Sequence, residues 1–129
     1  MKILMVEDSK FLRSSIERAL TAEGYGVISA ADGEQALKLA REHVPDLILL
    51  DVMLPKMSGP DVLKALKKDS ATAPIPVMML TSLSSKNAAQ LEKEGAASFF
   101  EKSDGMLGKG SGSLIGAIDR LLKKMNSTQ

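Results

Sequence analysis

At 129 residues the chain is sized for one domain, long enough to bury a core without disulfides or a structural metal. Its 17 Lys and Arg are interspersed among 16 Asp and Glu to a net charge of +1, so no electrostatic footprint for nucleic acid or an anionic membrane stands out. Without cysteine there is no disulfide, thiolate metal site or cysteine nucleophile, and no apolar run approaches the roughly 20 residues of a membrane span. The run after Lys2 ends at Glu7, too short for a signal-peptide core. The expectation is a soluble, cytoplasmic protein without a processed leader, residues 1–129 forming one domain.

In chain order, Lys2-Ile3-Leu4-Met5-Val6 reads as a strand that stops on Glu7-Asp8. Ser9 opens a helix with Phe11, Leu12, Ile16, Ala19 and Leu20 assigned to one apolar face and Gly24 as its C-terminal stop. Gly26 to Ala30 is a second strand, after which Asp32 and Gln35 form a capping box for a helix through Ala36, Leu37, Leu39 and Ala40. His43, the lone histidine, falls near that helix's end, where an exposed imidazole suits the dipole and no second one exists to share a metal. Asp46 to Asp51 encloses a third strand, too continuously apolar to have a wet face, as expected of a central parallel strand. Pro55 marks a loop, Ser58-Gly59-Pro60-Asp61 starts a helix with Val62, Leu63 and Leu66 inward, and Pro74 and Pro76 bar further helix. The fourth strand, Val77 to Leu80, stops on Thr81. Ser84 or Ser85 caps a helix carrying Ala88, Ala89 and Leu91 that Gly95 ends, and Ala97 to Glu101 is the fifth strand. The last helix starts at about Ser113, with Leu114, Ile115, Ile118, Leu121, Leu122 and Met125 at helical spacing.

Strands alternating with helices imply an α/β fold, a doubly wound parallel sheet covered on both faces, because parallel neighbours need crossovers and the crossovers supply the covering layers. The strands' C-terminal ends then share one edge, where open sheets of this kind bind ligands. Glu7, Asp8, Asp51 and Thr81 meet there. Crowded carboxylates repel and lose solvation, so the edge costs stability unless a cation or proton compensates. Oxygen ligands without thiols or paired imidazoles suit a hard divalent cation, Mg2+ before Ca2+, held partly by water. Glu7 and Asp8 can both reach an ion only if the chain turns at Ser9; the plainer alternative is that one of them simply caps the helix. Asp51 is either a buried structural carboxylate paired with Lys102 or a nucleophile toward phosphorus, with Thr81 and Lys102 binding phosphoryl oxygens.

Glu7-Asp8, Asp51 within Asp51-Val52-Met53-Leu54-Pro55-Lys56-Met57-Ser58-Gly59, Thr81-Ser82 and Lys102 form an ordered set. On these residues the chain resembles a receiver domain of a two-component response regulator over nearly all its length. The resemblance implies a flavodoxin-like five-stranded sheet of order 2-1-3-4-5 with five helices. It implies that Asp51 accepts a phosphoryl group from a phosphohistidine on a sensor histidine kinase or phosphotransfer protein. Glu7, Asp8, Asp51 and the carbonyl of Met53 would hold Mg2+, with Thr81 and Lys102 on the phosphoryl oxygens. The family's aromatic switch position falls on Phe99; phosphorylation would draw in Thr81, let Phe99 turn inward and reshape the fourth helix, fifth strand and fifth helix for a downstream effector. The alternative for Phe99 and Phe100 is plain strand packing. A stand-alone switch is expected, monomeric or weakly dimeric, with no direct nucleic-acid or membrane partner and no enzymatic activity beyond self-phosphorylation and self-dephosphorylation.

Two features depart from that pattern. Ser103 follows Lys102 where receivers commonly have proline, which removes most of the warrant for a cis peptide. Residues 103–113 then make an extended Gly/Ser-rich loop, expected to be mobile; its Gly108-Lys109-Gly110-Ser111 string fails as a phosphate loop because glycine follows the lysine. Met53 and Leu83, two residues beyond Asp51 and Thr81, are apolar and cannot orient an attacking water, so slow self-dephosphorylation is expected. Rival readings are a constitutive, unphosphorylated scaffold, a haloacid-dehalogenase-type phosphotransferase, and a flavin binder. The phosphotransferase typically needs a second Asp where Met53 stands, and the flavin binder lacks Trp and has only Tyr25 to stack on the ring.

Overall fold

The computed structural model describes residues 1–81, 88–102, 106–108 and 113–126. In chain order the elements are β1 (Lys2–Val6), α1 (Lys10–Ala22), β2 (Gly26–Ala30), α2 (Gly33–His43), β3 (Leu47–Asp51), α3 (Gly59–Lys68), β4 (Val77–Thr81), α4 (Ala88–Lys93), β5 (Ser98–Glu101) and α5 (Leu114–Asn126). All strand pairs are parallel, in the order β2-β1-β3-β4-β5, as expected. Central β3 is buried along its whole length, whereas the edge strand β2 is only partly covered.

The two-residue alternation of strand side chains divides the core into two layers. Leu4, Val6, Ile48, Leu50, Val77 and Met79 pack with Ala36 and Ala40 of α2, Val62, Leu63 and Leu66 of α3, and Leu91 of α4. On the other face Ile3, Met5, Leu47, Leu49, Met78 and Leu80 pack with Ile16 and Leu20 of α1 and Leu114, Ile118 and Leu122 of α5. β1, β3 and β4 are therefore held from both sides, and their C-terminal ends are fixed in place.

The helix ends follow their sequence signals. Ser9 and Ser58 accept from the amides of Leu12 and Asp61 at 3.3 Å, and Asp32 accepts from Gln35 at 2.8 Å. The Gln35 side chain reaches back to the Ala31 amide at 2.9 Å, one residue before the cap. After α1, Gly24 (φ +91) lets its own amide reach Thr21 O and that of Tyr25 reach Leu20 O, closing the helix with the two-bond motif that a left-handed glycine permits. Gly95 (φ +113) does the same after α4.

Two expectations change. Phe11 is 80% exposed, not part of the apolar face of α1. At about 100° per residue it lies roughly 140° from Ile16 and opposite Leu20, so it cannot join them on the sheet. The fifth strand begins one residue later than expected, at Ser98. The connection before α5 is anchored where it is described: Met106 is buried in the α1–α5 layer, and its carbonyl accepts from Leu114 N at 2.7 Å. Ser82, Leu83, the Ser84 and Ser85 caps, the Lys102–Ser103 peptide and the Lys109-Gly110-Ser111 string lie outside the described residues.

Candidate functional site

β1 continues its pairing one residue past the strand, where Glu7 N–H donates to Ala30 O at 3.0 Å, and then turns into α1. The turn buries the Glu7 carboxylate to 1% exposure. Its Oε2 accepts from the Ser9 amide at 3.0 Å, and its Oε1 from Lys102 Nζ at 2.8 Å. Asp8 stays exposed. Ser9, not Glu7 or Asp8, is the N-cap of α1, so neither carboxylate is needed for that role.

Asp51 ends β3 at 3% exposure. Its Oδ1 accepts from the Met53 amide at 3.1 Å and its Oδ2 from Lys102 Nζ at 2.9 Å. The loop after it folds back tightly, with Gly59 N–H donating to Val52 O at 2.9 Å. A Cβ at position 59 would stand 2.2 Å from Asp51 O and 2.7 Å from Val52 Cα, so only glycine lets α3 start this close to the strand end. Met53 lies at the mouth of the site, with its side chain 63% exposed.

Lys102, just past β5, joins the strand ends. Its amide donates to Thr81 O at 2.7 Å, which fixes the end of β5 against that of β4. Burial opposes the charge on its ammonium, but the hydrogen bonds to Glu7 and Asp51 and the two negative charges outweigh that and hold its pKa above the ordinary lysine value. The ammonium is thus the compensating cation that two nearly dry carboxylates require. Carboxylate oxygens of Glu7, Asp8 and Asp51 lie within 4.8 Å of one another. Three hard oxygen donors, one of them open to water, fit Mg2+ better than a softer ion. Two of the three donors are already engaged by Lys102, so a metal ion entering the cluster competes with the ammonium.

Thr81, Phe99 and Lys102 follow from the same topology. Thr81 is partly exposed at the end of β4, beside Glu101 in the β4–β5 register. Phe99 packs on the layer of α2, α3 and α4 and Phe100 on the layer of α1 and α5, both partly buried. A shallow groove of about 290 Å³ runs between β5 and α5, with both phenylalanines, Arg120 and Lys124 among its lining residues.

Arg13 was not among the residues expected at the site. Its Nη1 donates to Glu7 O at 2.8 Å and Asp8 O at 3.3 Å. A signal was present: α1 has Lys10 and Arg13 near its start and no acid in its first turn, against the preference of a helix dipole. Cations placed there need a local reason, and carboxylates and carbonyls at the preceding strand end supply one.

A sequence model of the family described as "Response regulator receiver domain" matches residues 3–106. The transcriptional regulatory protein CpxR of Escherichia coli K12 is 49% identical over 85 residues, 66% of this chain and 35% of CpxR. The response regulator PleD of Caulobacter vibrioides is 42% identical over 102 residues, 78% of this chain and 22% of PleD. The chain spans about a third of the length of the first curated relatives it matches. Among solved structures, the chemotaxis response regulator CheY4 of Vibrio cholerae aligns with a TM-score of 0.81 at 31% identity, covering 93% of this chain and 97% of that one. A response regulator receiver domain from Clostridium thermocellum aligns at 0.82 and 27% identity, over 99% and 98% of the two chains.

Proposed function

The chain belongs to the family of response regulator receiver domains, and on that premise we propose that residues 1–129 form one phosphoacceptor switch whose acceptor is Asp51. The donor is a phosphohistidine on a histidine kinase or phosphotransfer protein. A carboxylate oxygen of Asp51 attacks phosphorus, the P–N bond breaks, and the imidazole leaves with the electron pair and takes up a proton. What remains is an acyl phosphate on Asp51.

The surrounding groups have separable roles. Met53 N–H, bonded to one oxygen of Asp51, leaves the other to Lys102, and that contact must be exchanged for phosphorus. Lys102 then follows the charge onto the phosphoryl oxygens, joined by the Thr81 hydroxyl. Glu7, Asp8, Asp51 and the Met53 carbonyl hold Mg2+, which when bound neutralises charge on the transferring group. Movement of Thr81 toward the phosphoryl group frees space for Phe99, and the α4-β5-α5 surface changes for an effector protein. The apolar side chains of Met53 and Leu83 cannot orient a water, which makes self-dephosphorylation slow. The protein is a signalling domain rather than a turnover enzyme, a monomer or weak dimer with protein partners and no direct nucleic-acid or membrane contact.

The observation that carries this reading is the Lys102 ammonium shared between Glu7 Oε1 and Asp51 Oδ2 at 2.8 and 2.9 Å, with Asp8 beside them. A purely structural pair would need one carboxylate, not three. Incubation with Mg2+ and a small acyl phosphate, read by intact mass, should add one phosphoryl group to the wild type and none to Asp51→Asn. Absence of a Mg2+-dependent adduct in the wild type, together with no spectral change on adding beryllofluoride, would establish the constitutive scaffold instead.

A further inference from the structure

The three acidic side chains of the site are not held alike. Glu7 is bonded at both carboxylate oxygens, by Ser9 N–H and Lys102, and Asp51 at both, by Met53 N–H and Lys102. Asp8 is exposed, and among the described residues its carboxylate accepts no hydrogen bond. Where that carboxylate can reach is therefore set by its backbone. The backbone is clamped from α1, because the half-buried Arg13 directs one guanidinium nitrogen at the carbonyls of both Glu7 and Asp8, at 2.8 and 3.3 Å. The backbone of Arg13 is itself held, since its amide donates to Ser9 O at 2.8 Å in the opening turn of the helix.

We propose that Arg13 is a positioning residue for the divalent cation: its guanidinium holds the Glu7–Asp8 turn so that the exposed Asp8 carboxylate stays in reach of the other two. This rests on reading the acidic triad as a Mg2+ site. The clamp acts against Arg13's own charge, because a cation near the site repels another by simple Coulomb interaction. Charge and clamp thus have opposite effects on metal affinity, and substitution separates them. Lysine keeps the charge but ends one bond nearer the backbone than Nη1, so its ammonium falls short of the position from which Nη1 reaches both carbonyls. Methionine removes both.

Mg2+ titration followed by backbone amide NMR, on the full chain, gives the dissociation constants without any phosphoryl transfer. If Arg13 positions Asp8, Arg13→Lys weakens Mg2+ binding about tenfold, as for residues that orient ligands without touching the ion. Arg13→Met then falls between Arg13→Lys and the wild type, because lost repulsion offsets part of the lost clamp. In an Asp8→Asn background, Arg13→Lys has no further effect, since the residue it acts through is gone. If instead Arg13→Lys binds as the wild type does and Arg13→Met binds more tightly, Arg13 is only a nearby charge and the inference fails while the metal site stands. A wild type whose amides do not respond to Mg2+ at all overturns the site and the inference together. Amides of β2 and α2, away from the site, report that each variant is folded.

Discussion

Lys102 and Lys67 are both half-buried lysines on opposite edges of the same sheet, and they solve the burial of an ammonium in different ways. Lys102 meets two carboxylates, and its pKa is raised despite its burial. Lys67, near the end of α3, meets only neutral oxygens among the described residues: its Nζ donates to Ala73 O and Ile75 O, each at 2.9 Å, and burial pulls its pKa below the ordinary lysine value. The stem of Lys67 also packs against Gly95, where a Cβ would come within 2.9 Å of its Cγ. Lys67 therefore ties the loop before β4 to α3, a fixed brace with no anion to exchange. Lys102 sits between two carboxylates, which on the proposed function exchange the ammonium for a metal ion and a phosphoryl group. Burial alone does not distinguish a functional lysine from a structural one; the charge of its partners does.

The contrast is sharpest on deleting each ammonium. Lys102→Met leaves Glu7 and Asp51 buried without a counter-ion, so the metal-free protein should lose about 3 kcal/mol at neutral pH, as when one partner of a buried pair is removed. Millimolar Mg2+ should restore much of that in urea titrations, because an ion that binds only the folded state stabilises it and no longer competes with the ammonium. Lys67→Met removes the donor from two carbonyls and should cost about 2 kcal/mol, with no recovery on adding Mg2+. Equal Mg2+ rescue of both variants would erase the distinction.

The smallest effect is in alkaline pH, and its sign differs between the two lysines. The raised pKa of Lys102 means that its stabilisation is complete below the unfolded value of about 10.5 and is lost as pH rises through the folded value. The lowered pKa of Lys67 reverses this: between its folded value and about 10.5 the unfolded chain binds more protons, so stability gains with rising pH. Stability profiles of the two methionine variants, subtracted from that of the wild type, should slope in opposite directions around that pH.

Much of this architecture could be read from patterns that repeat along the chain. Unbroken apolar runs marked β1, β3 and β4 as covered on both faces, and the polar residue after each run located the acidic edge before any topology was known. Capping residues Ser9, Asp32 and Ser58 and the stops at Gly24 and Gly95 are local devices, legible within a few residues. Phe11 departs from the pattern because its hydrophobicity suggests an inward position that its helical angle forbids. Arg13, Lys67 and the close approach that Gly59 permits left no such mark, for a different reason. Each acts on backbone atoms of another segment, and a carbonyl leaves no trace in a sequence. The pairing of Asp51 with Lys102 was one of two readings the sequence allowed, but the sharing of that ammonium with Glu7 was beyond reach of the pattern: spacing shows which residues share an edge, not which atoms meet.

The bond from Lys102 to Glu7 spans 95 residues and that to Asp51 spans 51, so both depend on the last strand of the sheet. During synthesis the first four strands emerge with their acidic edge already assembled in sequence but with no ammonium to neutralise it. Docking of β5 completes that edge, and the loop-closure entropy of so distant a contact makes it a late event. A ribosome-bound chain ending before residue 102 would carry Asp51 in an unfinished setting, without the ammonium that its Oδ2 accepts from. On the proposed function, competence to be phosphorylated would then also report that the whole sheet has closed.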